Sequence, residues 1–144
     1  MDKRYSCYCG LYCENCAVKV KIHPAAKVLY SEMKKTEFDG VVHSIPGGEG
    51  FWSFLKEMAD NWICISCREG SGNPGCAVRK CAQEKGVEMC AFCESYPCSL
   101  IENFDAGYPT LLHDNALLCD EGWDAWGKLQ DERRATGFTY SDEK

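Results

Sequence analysis

The sequence has no long apolar segment and no apolar run behind its charged start. No stretch approaches the ~18 consecutive apolar residues of a transmembrane helix, so we expect no membrane span. Residues 1–7 carry charge but lead into no hydrophobic segment, which predicts that a secretory signal peptide is absent. We therefore expect a cytoplasmic protein, and in the cytoplasm thiols stay reduced.

Basic residues and histidines are also scarce. The chain has 16 Lys and Arg against 22 Asp and Glu, which gives a formal net charge of −6. Because a nucleic-acid backbone repels an acidic protein, nucleic acid is disfavoured as a partner. The three histidines are His23, His43 and His113, and none stands beside a C-x2-C pair. We predict that they are solvated or hydrogen-bonded rather than metal ligands.

Cysteine is abundant by contrast, with 12 residues in a chain of 144. Cysteines at such density serve either as disulfides or as metal ligands, and the redox compartment decides between the two uses. Since we expect a reducing compartment, the cysteine content predicts metal binding.

Ten of the cysteines form three groups, each of which contains one C-x2-C pair. A C-x2-C turn places two sulfurs on one side of a tight loop, and tetrahedral zinc takes two such pairs, or one pair with two further thiolates. The spacing therefore predicts about two Zn²⁺ per chain. The predicted metal ligands are Cys9, Cys13, Cys16, Cys64, Cys67, Cys76, Cys81, Cys90, Cys93 and Cys98.

The grouping of these ligands stays open at this point. The most local tetrad along the chain runs from Cys64 to Cys81, but Cys76 and Cys81 would lie ~140° apart on one regular helix. They can share an ion only if Cys76 precedes the helix. The third group holds three cysteines and needs a fourth ligand, which the first group could supply. Ten cysteines also exceed two four-ligand sites, so two are spare or a third site exists.

An iron–sulfur protein is the main alternative. The triad Cys9, Cys13 and Cys16 could hold a 4Fe–4S cluster with one more thiolate, although the ferredoxin run C-x2-C-x2-C-x3-C-P is absent. The same triad, with the GGE at 47–49, also matches motifs of radical SAM enzymes. A chain of 144 residues is too short for their barrel, however. No catalytic constellation is evident, and an all-thiolate ligand set argues against a zinc hydrolase. We expect that the protein is not an enzyme.

The predicted fold is mainly α, a small single domain of short helices and irregular loops pinned by cysteine-bound metal. We predict helices over about 14–35 with a break at His23-Pro24, over about 51–62, and over about 76–85. Two more helices follow over about 109–136, with Gly137 as terminator. A short strand is predicted over 41–45. In the second helix, the spacing of the apolar side chains predicts a core face, formed by Phe51, Phe54, Leu55, Met58 and Trp62.

The expected organisation is one metal-binding domain over residues 1–144. It comprises an N-terminal cysteine motif at 7–16, a central cysteine-rich region at 64–98 and the C-terminal helices. Cys7 and Cys119 stand apart from the clusters, and Cys119 after Leu117-Leu118 is predicted to be a small buried apolar residue.

Four motifs together resemble one known family. They read CGLYCENC at 9–16, CISCR at 64–68, CAVRKC at 76–81 and CAFCESYPC at 90–98. This order is similar to that of the DUF3795 family of bacterial and archaeal proteins, and the resemblance covers roughly residues 7–130. The family has no assigned function and its cysteines are generally taken as zinc ligands. The resemblance thus implies metal binding in a prokaryotic cytosol and no reaction. Cys7 and Cys119 do not match the pattern and are left out of the ligand set.

The functional hypothesis is a structural zinc-binding protein that acts as an interaction or adaptor module for another protein. The metal sites would replace part of a hydrophobic core, because metal binding in such a domain is folding free energy. The acidic, aromatic C-terminal helices are the expected partner surface.

Overall fold

The computed structural model describes residues 1–61 and 64–142. Its α-helices confirm the mainly α class, and no β-strand occurs in the described ranges. None of the described helices is both long enough and apolar enough to cross a membrane. The helices are α1, His23–Lys35; α2, Gly48–Asp60; α3, Ala77–Glu84; α4, Ser99–Asp105; and α5, Leu111–Ala135.

The chain divides into two compact units. The first unit consists of Met1–Ala17 and Ile65–Lys144, and the second of Val18–Cys64. All cysteines except Cys64 belong to the first unit. That the whole chain is one folding domain stays a prediction.

The second unit is a helical hairpin of α1 and α2. A π-helical segment, Val18–Ile22, leads into α1, and Pro24 occupies its first turn, where the missing N–H costs no hydrogen bond. The break predicted at His23-Pro24 is not found: the helical backbone continues through these residues, and only the helix type changes, from π to α. The two helices pack through Tyr30 and Trp52, whose ring centroids are 4.8 Å apart.

The predicted core face of α2 is partly wrong. Leu55 and Ala59 are buried, but Phe51 is 47% exposed and Phe54 is 58% exposed. The face of α2 that packs inward contains Trp52, Leu55 and Ala59. These residues also have i, i+3, i+7 spacing. An aromatic-rich segment offers two such stripes, and the sequence pattern selected the other one. Trp62 lies outside the described residues.

The short strand predicted over 41–45 is also wrong. The segment Val42–Ser44 is a 3₁₀ turn that buries the Val42 side chain. The Ser44 N–H donates to the Val41 carbonyl at 3.0 Å. β-branched residues favour strands only where a neighbouring strand can pair with them, and here the backbone closes a local turn instead.

The helix boundaries of the first unit follow the sequence signals. α3 begins after Cys76 and ends before Gly86, which adopts a φ of 65°. The C-terminal region is the predicted pair of helices. Gly122 interrupts α5 with φ 82° and ψ −173°, a conformation that favours glycine, and Gly137 follows its end with φ 75°.

The C-terminal part of α5 holds the N-terminal cysteine motif in place. Trp126 is fully buried and meets the Tyr12 ring edge-on, with centroids 5.7 Å apart. The Asn15 amide donates to Gln130 Oε1 at 3.0 Å, and the Tyr12 N–H donates to the Tyr140 hydroxyl at 2.8 Å. Residues on both sides of Cys13 are thus anchored to the C-terminal segment by buried contacts.

A buried carboxylate, Asp114, lies beside this contact. It is wholly buried and pairs with both terminal nitrogens of the Arg133 guanidinium, one of them at 2.9 Å. The Gln130 amide donates to the same carboxylate at 3.1 Å. Two parallel hydrogen bonds from an arginine offset much of the cost of burying the charge.

Replacing Gly10 with alanine is expected to destabilise the protein by about 2–3 kcal/mol, because strain and a steric clash add. Gly10 has φ 109°, and a Cβ there would lie 1.9 Å from Asn115 Oδ1. The Asn115 amide also donates to the Cys9 carbonyl at 2.9 Å, so it cannot move freely. Denaturant unfolding measures the effect. Gly40→Ala is the control, since its Cβ would meet nothing within 4 Å, and an equal loss in both variants would contradict the explanation.

Candidate metal centre

Four cysteines line one small cavity in the first unit. The cavity has a volume of about 20 Å³, and its walls include the side chains of Cys81, Cys90, Cys93 and Cys98. Lys85 is the one charged residue among the lining residues, all of which lie in the described part of the chain. The remaining walls are apolar side chains and Tyr96.

Separate elements of the chain position these four thiols. Cys81 is on α3, and Cys98 is the N-cap of α4. Cys90 opens the 3₁₀ turn Cys90–Phe92, and the Cys93 N–H closes that turn by donating to the Cys90 carbonyl at 2.9 Å. The cavity therefore joins two helices and the turn between them.

The thiols of the cavity differ in their tendency to ionise. Burial, followed by the electrostatic effect of the neighbouring Cys9 and Cys98, raises the pKa of Cys90 to about 12. The Ser95 backbone N–H lowers the pKa of Cys93, and the Lys85 ammonium, 3.6 Å from its sulfur, lowers it further.

A second group of thiols surrounds Cys7. The Cys7 and Cys13 sulfurs are 3.4 Å apart. The neighbouring thiols of Cys13, Cys67 and Cys9 raise the pKa of Cys7 well above its usual value. The Cys7 thiol, together with the Tyr8 backbone N–H, lowers the pKa of Cys67 to about 6.

The backbone of Tyr8 lies between the two thiol groups. Its N–H donates to the Cys67 sulfur, and its carbonyl accepts from the Cys90 N–H at 2.7 Å. The Arg68 guanidinium lies 4.8 Å from the centre of the Tyr8 ring. The same guanidinium donates to the Ser6 and Glu88 carbonyls, each at 2.8 Å. Arg68 therefore fixes the chain on both sides of the thiols.

The other predicted ligands are placed as follows. Cys76 precedes α3 as its N-cap, as sharing an ion with Cys81 would require, and its sulfur accepts from the Arg79 N–H at 3.4 Å. Cys16 follows the 3₁₀ turn Cys13–Asn15. Cys64 ends the second unit. Cys81, which the sequence grouped with the central cysteines, lines the cavity with the third group instead.

The two cysteines outside the predicted ligand set differ in their surroundings. Cys7 stands at the centre of the second thiol group, although it belongs to no C-x2-C pair. Cys119 is exposed, and its thiol donates to the Ala91 carbonyl at 3.3 Å. The prediction that Cys119 is buried is wrong, because Leu118 takes the inward position and the next residue lies about 100° around the helix.

The histidines are hydrogen-bonded, as predicted. The ring Nδ1 of His23 is 2.7 Å from the Met58 carbonyl oxygen, and that of His43 is 2.7 Å from Glu49 Oε1. The ring of His113 contacts the Asp114 carboxylate at 3.3 Å.

Thiols are a donor type that suits zinc, although the sulfurs of the cavity cysteines do not point at one common position. No three His, Cys, Asp or Glu side chains in residues 1–61 and 64–142 are arranged so that they could hold a metal ion. Four thiols that line one small cavity nevertheless supply the donor type and number of a tetrahedral zinc site. Side-chain rotations would have to bring the sulfurs to about 2.3 Å from one ion.

The fold and the cysteines together define a mainly α protein. Its two thiol groups are held in place by contacts between residues that are far apart in the sequence. The chain belongs to the DUF3795 family, described as a protein of unknown function, whose model matches residues 5–103. The family suggested by the cysteine motifs is therefore confirmed, and the match ends before α5. No curated protein and no solved structure matches the chain.

Proposed function

We propose that the protein is a structural zinc-binding protein and that the cavity cysteines bind one of its ions. The observation that carries this proposal is the cavity itself: four cysteines from α3, α4 and the intervening turn line a space of about 20 Å³. The ligands would be Cys81, Cys90, Cys93 and Cys98. Zinc would supply a cross-link among three elements, and the binding free energy would become folding free energy.

The residues around the cavity support thiolate ligands. The Ser95 N–H and the Lys85 ammonium both act on the Cys93 sulfur, so negative charge there has two donors. Val78 and Ile101 are buried side chains in the cavity wall and make that side of it apolar. Such outer-shell donors and apolar walls hold ligands in orientation and in charge state.

A structural rather than catalytic role is favoured by the ligand set. Catalytic zinc keeps an open position beside three protein ligands, usually with histidine or carboxylate among them. Here four thiols line the cavity and no histidine or carboxylate is among the lining residues. We therefore propose that zinc stabilises the fold of an interaction module in a reducing, cytoplasmic setting.

The expected partner surface on the C-terminal helices needs revision. Trp126 is fully buried, and Trp123 is partly buried beneath the Lys3 ammonium, which lies 4.2 Å from its ring centre. Their aromatic side chains serve the core of the first unit, so the surface of α5 offers acidic rather than aromatic contacts. A protein partner stays a proposal.

Metal analysis of cysteine variants tests the proposal. Cys81→Ser and Cys93→Ser remove ligands that lie on different elements, and each is expected to lose one zinc per chain. The double variant is expected to lose no more than either single variant, because both residues would serve the same ion. Cys119→Ser is the matched control and should keep all its zinc, since that thiol is exposed and outside the cavity. Full zinc content in both single variants would overturn the proposal.

A further inference from the structure

The thiol group around Cys7 shares no residue with the cavity and has its own geometry. The Cys7 and Cys13 sulfurs are 3.4 Å apart, and Cys7 packs against the buried cluster that contains Cys9. The neighbouring thiols of Cys13, Cys67 and Cys9 raise the pKa of Cys7. Two sulfurs bound to one tetrahedral zinc at about 2.3 Å are about 3.8 Å apart. The Cys7–Cys13 pair already approaches the separation that a shared ion requires.

A local backbone turn brings Cys7 beside Cys13. An isolated antiparallel bridge joins Ser6 to Tyr12, the residues that precede the two cysteines. Within it, the Cys7 N–H donates to the Leu11 carbonyl at 2.7 Å. Gly10, at φ 109°, provides the tight reversal. The close approach of the two thiols is therefore set by the backbone and not by a side-chain rotamer alone.

A contact between residues far apart in the sequence brings Cys67 close to Cys7. Arg68, which follows Cys67, donates to the Ser6 carbonyl at 2.8 Å, so the residue after one thiol is bound to the residue before the other. The Tyr8 N–H in turn donates to the Cys67 sulfur. Backbone N–H donors to sulfur are a common support of thiolate metal ligands.

We infer that Cys7 is a metal ligand in a second thiolate site, which it forms with Cys13, Cys67 and Cys9 and which takes a zinc-like divalent cation. Cys9 completes the set because it belongs to the buried cluster against which Cys7 packs. The site lies outside the cavity and extends the proposed function without resting on the same residues. As in the cavity, the sulfurs converge on an ion only after side-chain rotation.

Positive charge beside the group suits a thiolate-rich site. The guanidinium groups of Arg68 and Arg79 both act electrostatically on Cys67. Arg79 is held in place by donating to the Ser71 carbonyl at 2.6 Å and to the Asn73 carbonyl at 2.9 Å. Four thiolates and one divalent cation leave two negative charges, and these two arginines offset them.

Cadmium-113 NMR of the wild-type protein tests this site residue by residue. Cadmium replaces zinc at thiolate sites, and a ¹H–¹¹³Cd correlation spectrum identifies the cysteines whose β-protons couple to each ion. The expected result is one cadmium coupled to Cys7, Cys13, Cys67 and Cys9, and another coupled to the cavity cysteines. Absence of any coupling between Cys7 and cadmium would overturn the inference. If the cavity cysteines then still couple, the proposed function stands while the second site falls.

A pair of substitutions adds a chemical readout. Cys7→Ser is expected to lose one metal ion per chain, whereas Cys7→His is expected to retain it, because imidazole can replace a thiolate. In the Co²⁺-substituted Cys7→His protein, the visible bands should shift relative to the wild type. Full metal in Cys7→Ser, or an unchanged cobalt spectrum in Cys7→His, would contradict ligation by Cys7.

Discussion

Removing zinc from the wild-type protein is expected to unfold the first unit. The cavity cysteines connect α3, α4 and the turn between them, and a structural zinc ion contributes on the order of 10 kcal/mol to folding. This exceeds the net stability of many small domains. Addition of a zinc chelator should therefore abolish cooperative thermal unfolding, and readdition of zinc should restore it.

The near-ultraviolet circular dichroism spectrum gives the most direct readout of this transition. Trp126 is fully buried against Tyr12, so its signal depends on the packing of the first unit. The control is the same chelator already saturated with zinc, which should change nothing. An identical aromatic signal and melting temperature before and after complete removal of zinc would show that the fold does not depend on metal.

Arg133→Met is expected to destabilise the zinc-loaded protein by about 3–5 kcal/mol, because it leaves a buried carboxylate without its counter-charge. Asp114 is fully buried and forms a two-nitrogen pair with Arg133, whose side chain is 16% exposed. Equilibrium denaturant unfolding measures the loss.

The neighbouring arginine provides a matched control. Arg134 is 52% exposed and pairs with Glu14 and Asp131 at the surface, so Arg134→Met should cost about 1 kcal/mol or less. Combining Arg133→Met with Asp114→Leu should cost less than Arg133→Met alone, since no buried charge then remains. Equal effects of the two single arginine substitutions would contradict this account of Asp114.

Local sequence signals predicted those parts of the fold that local physics decides. Pro24 marked the start of α1, Gly86 followed the end of α3, and Gly137 followed the end of α5. Each depends on the backbone preference of one residue type. The exposure of Phe51 and Phe54 depends instead on which face of α2 packs against α1, and the sequence of one helix alone does not determine that face.

The same limit applies to the thiols. The ten predicted ligands include all four cysteines of the cavity, but the spacing did not give their grouping, because Cys81 joins the third group through the fold of α3 against α4. Cys7 has no metal-binding signature in its spacing. It reaches Cys67 through the bond from Arg68 to Ser6, which joins residues 62 positions apart in the chain. Side-chain contacts between residues so far apart in the sequence cannot be predicted from one sequence.

Tyr8 gives the two thiol groups a common support. Its N–H donates to Cys67 and its carbonyl accepts from Cys90, so one peptide segment touches both groups. Two ions bound on either side of such a segment would stabilise it from both directions.

The most direct test of the central claim is elemental analysis of the wild-type protein purified without oxygen, with a visible spectrum of the same sample. The account predicts zinc, about two ions per chain, and no visible colour, because zinc thiolates do not absorb in the visible range. Iron with acid-labile sulfide and a broad absorption band near ~400 nm would contradict it, and would assign the thiols to an iron–sulfur cluster instead.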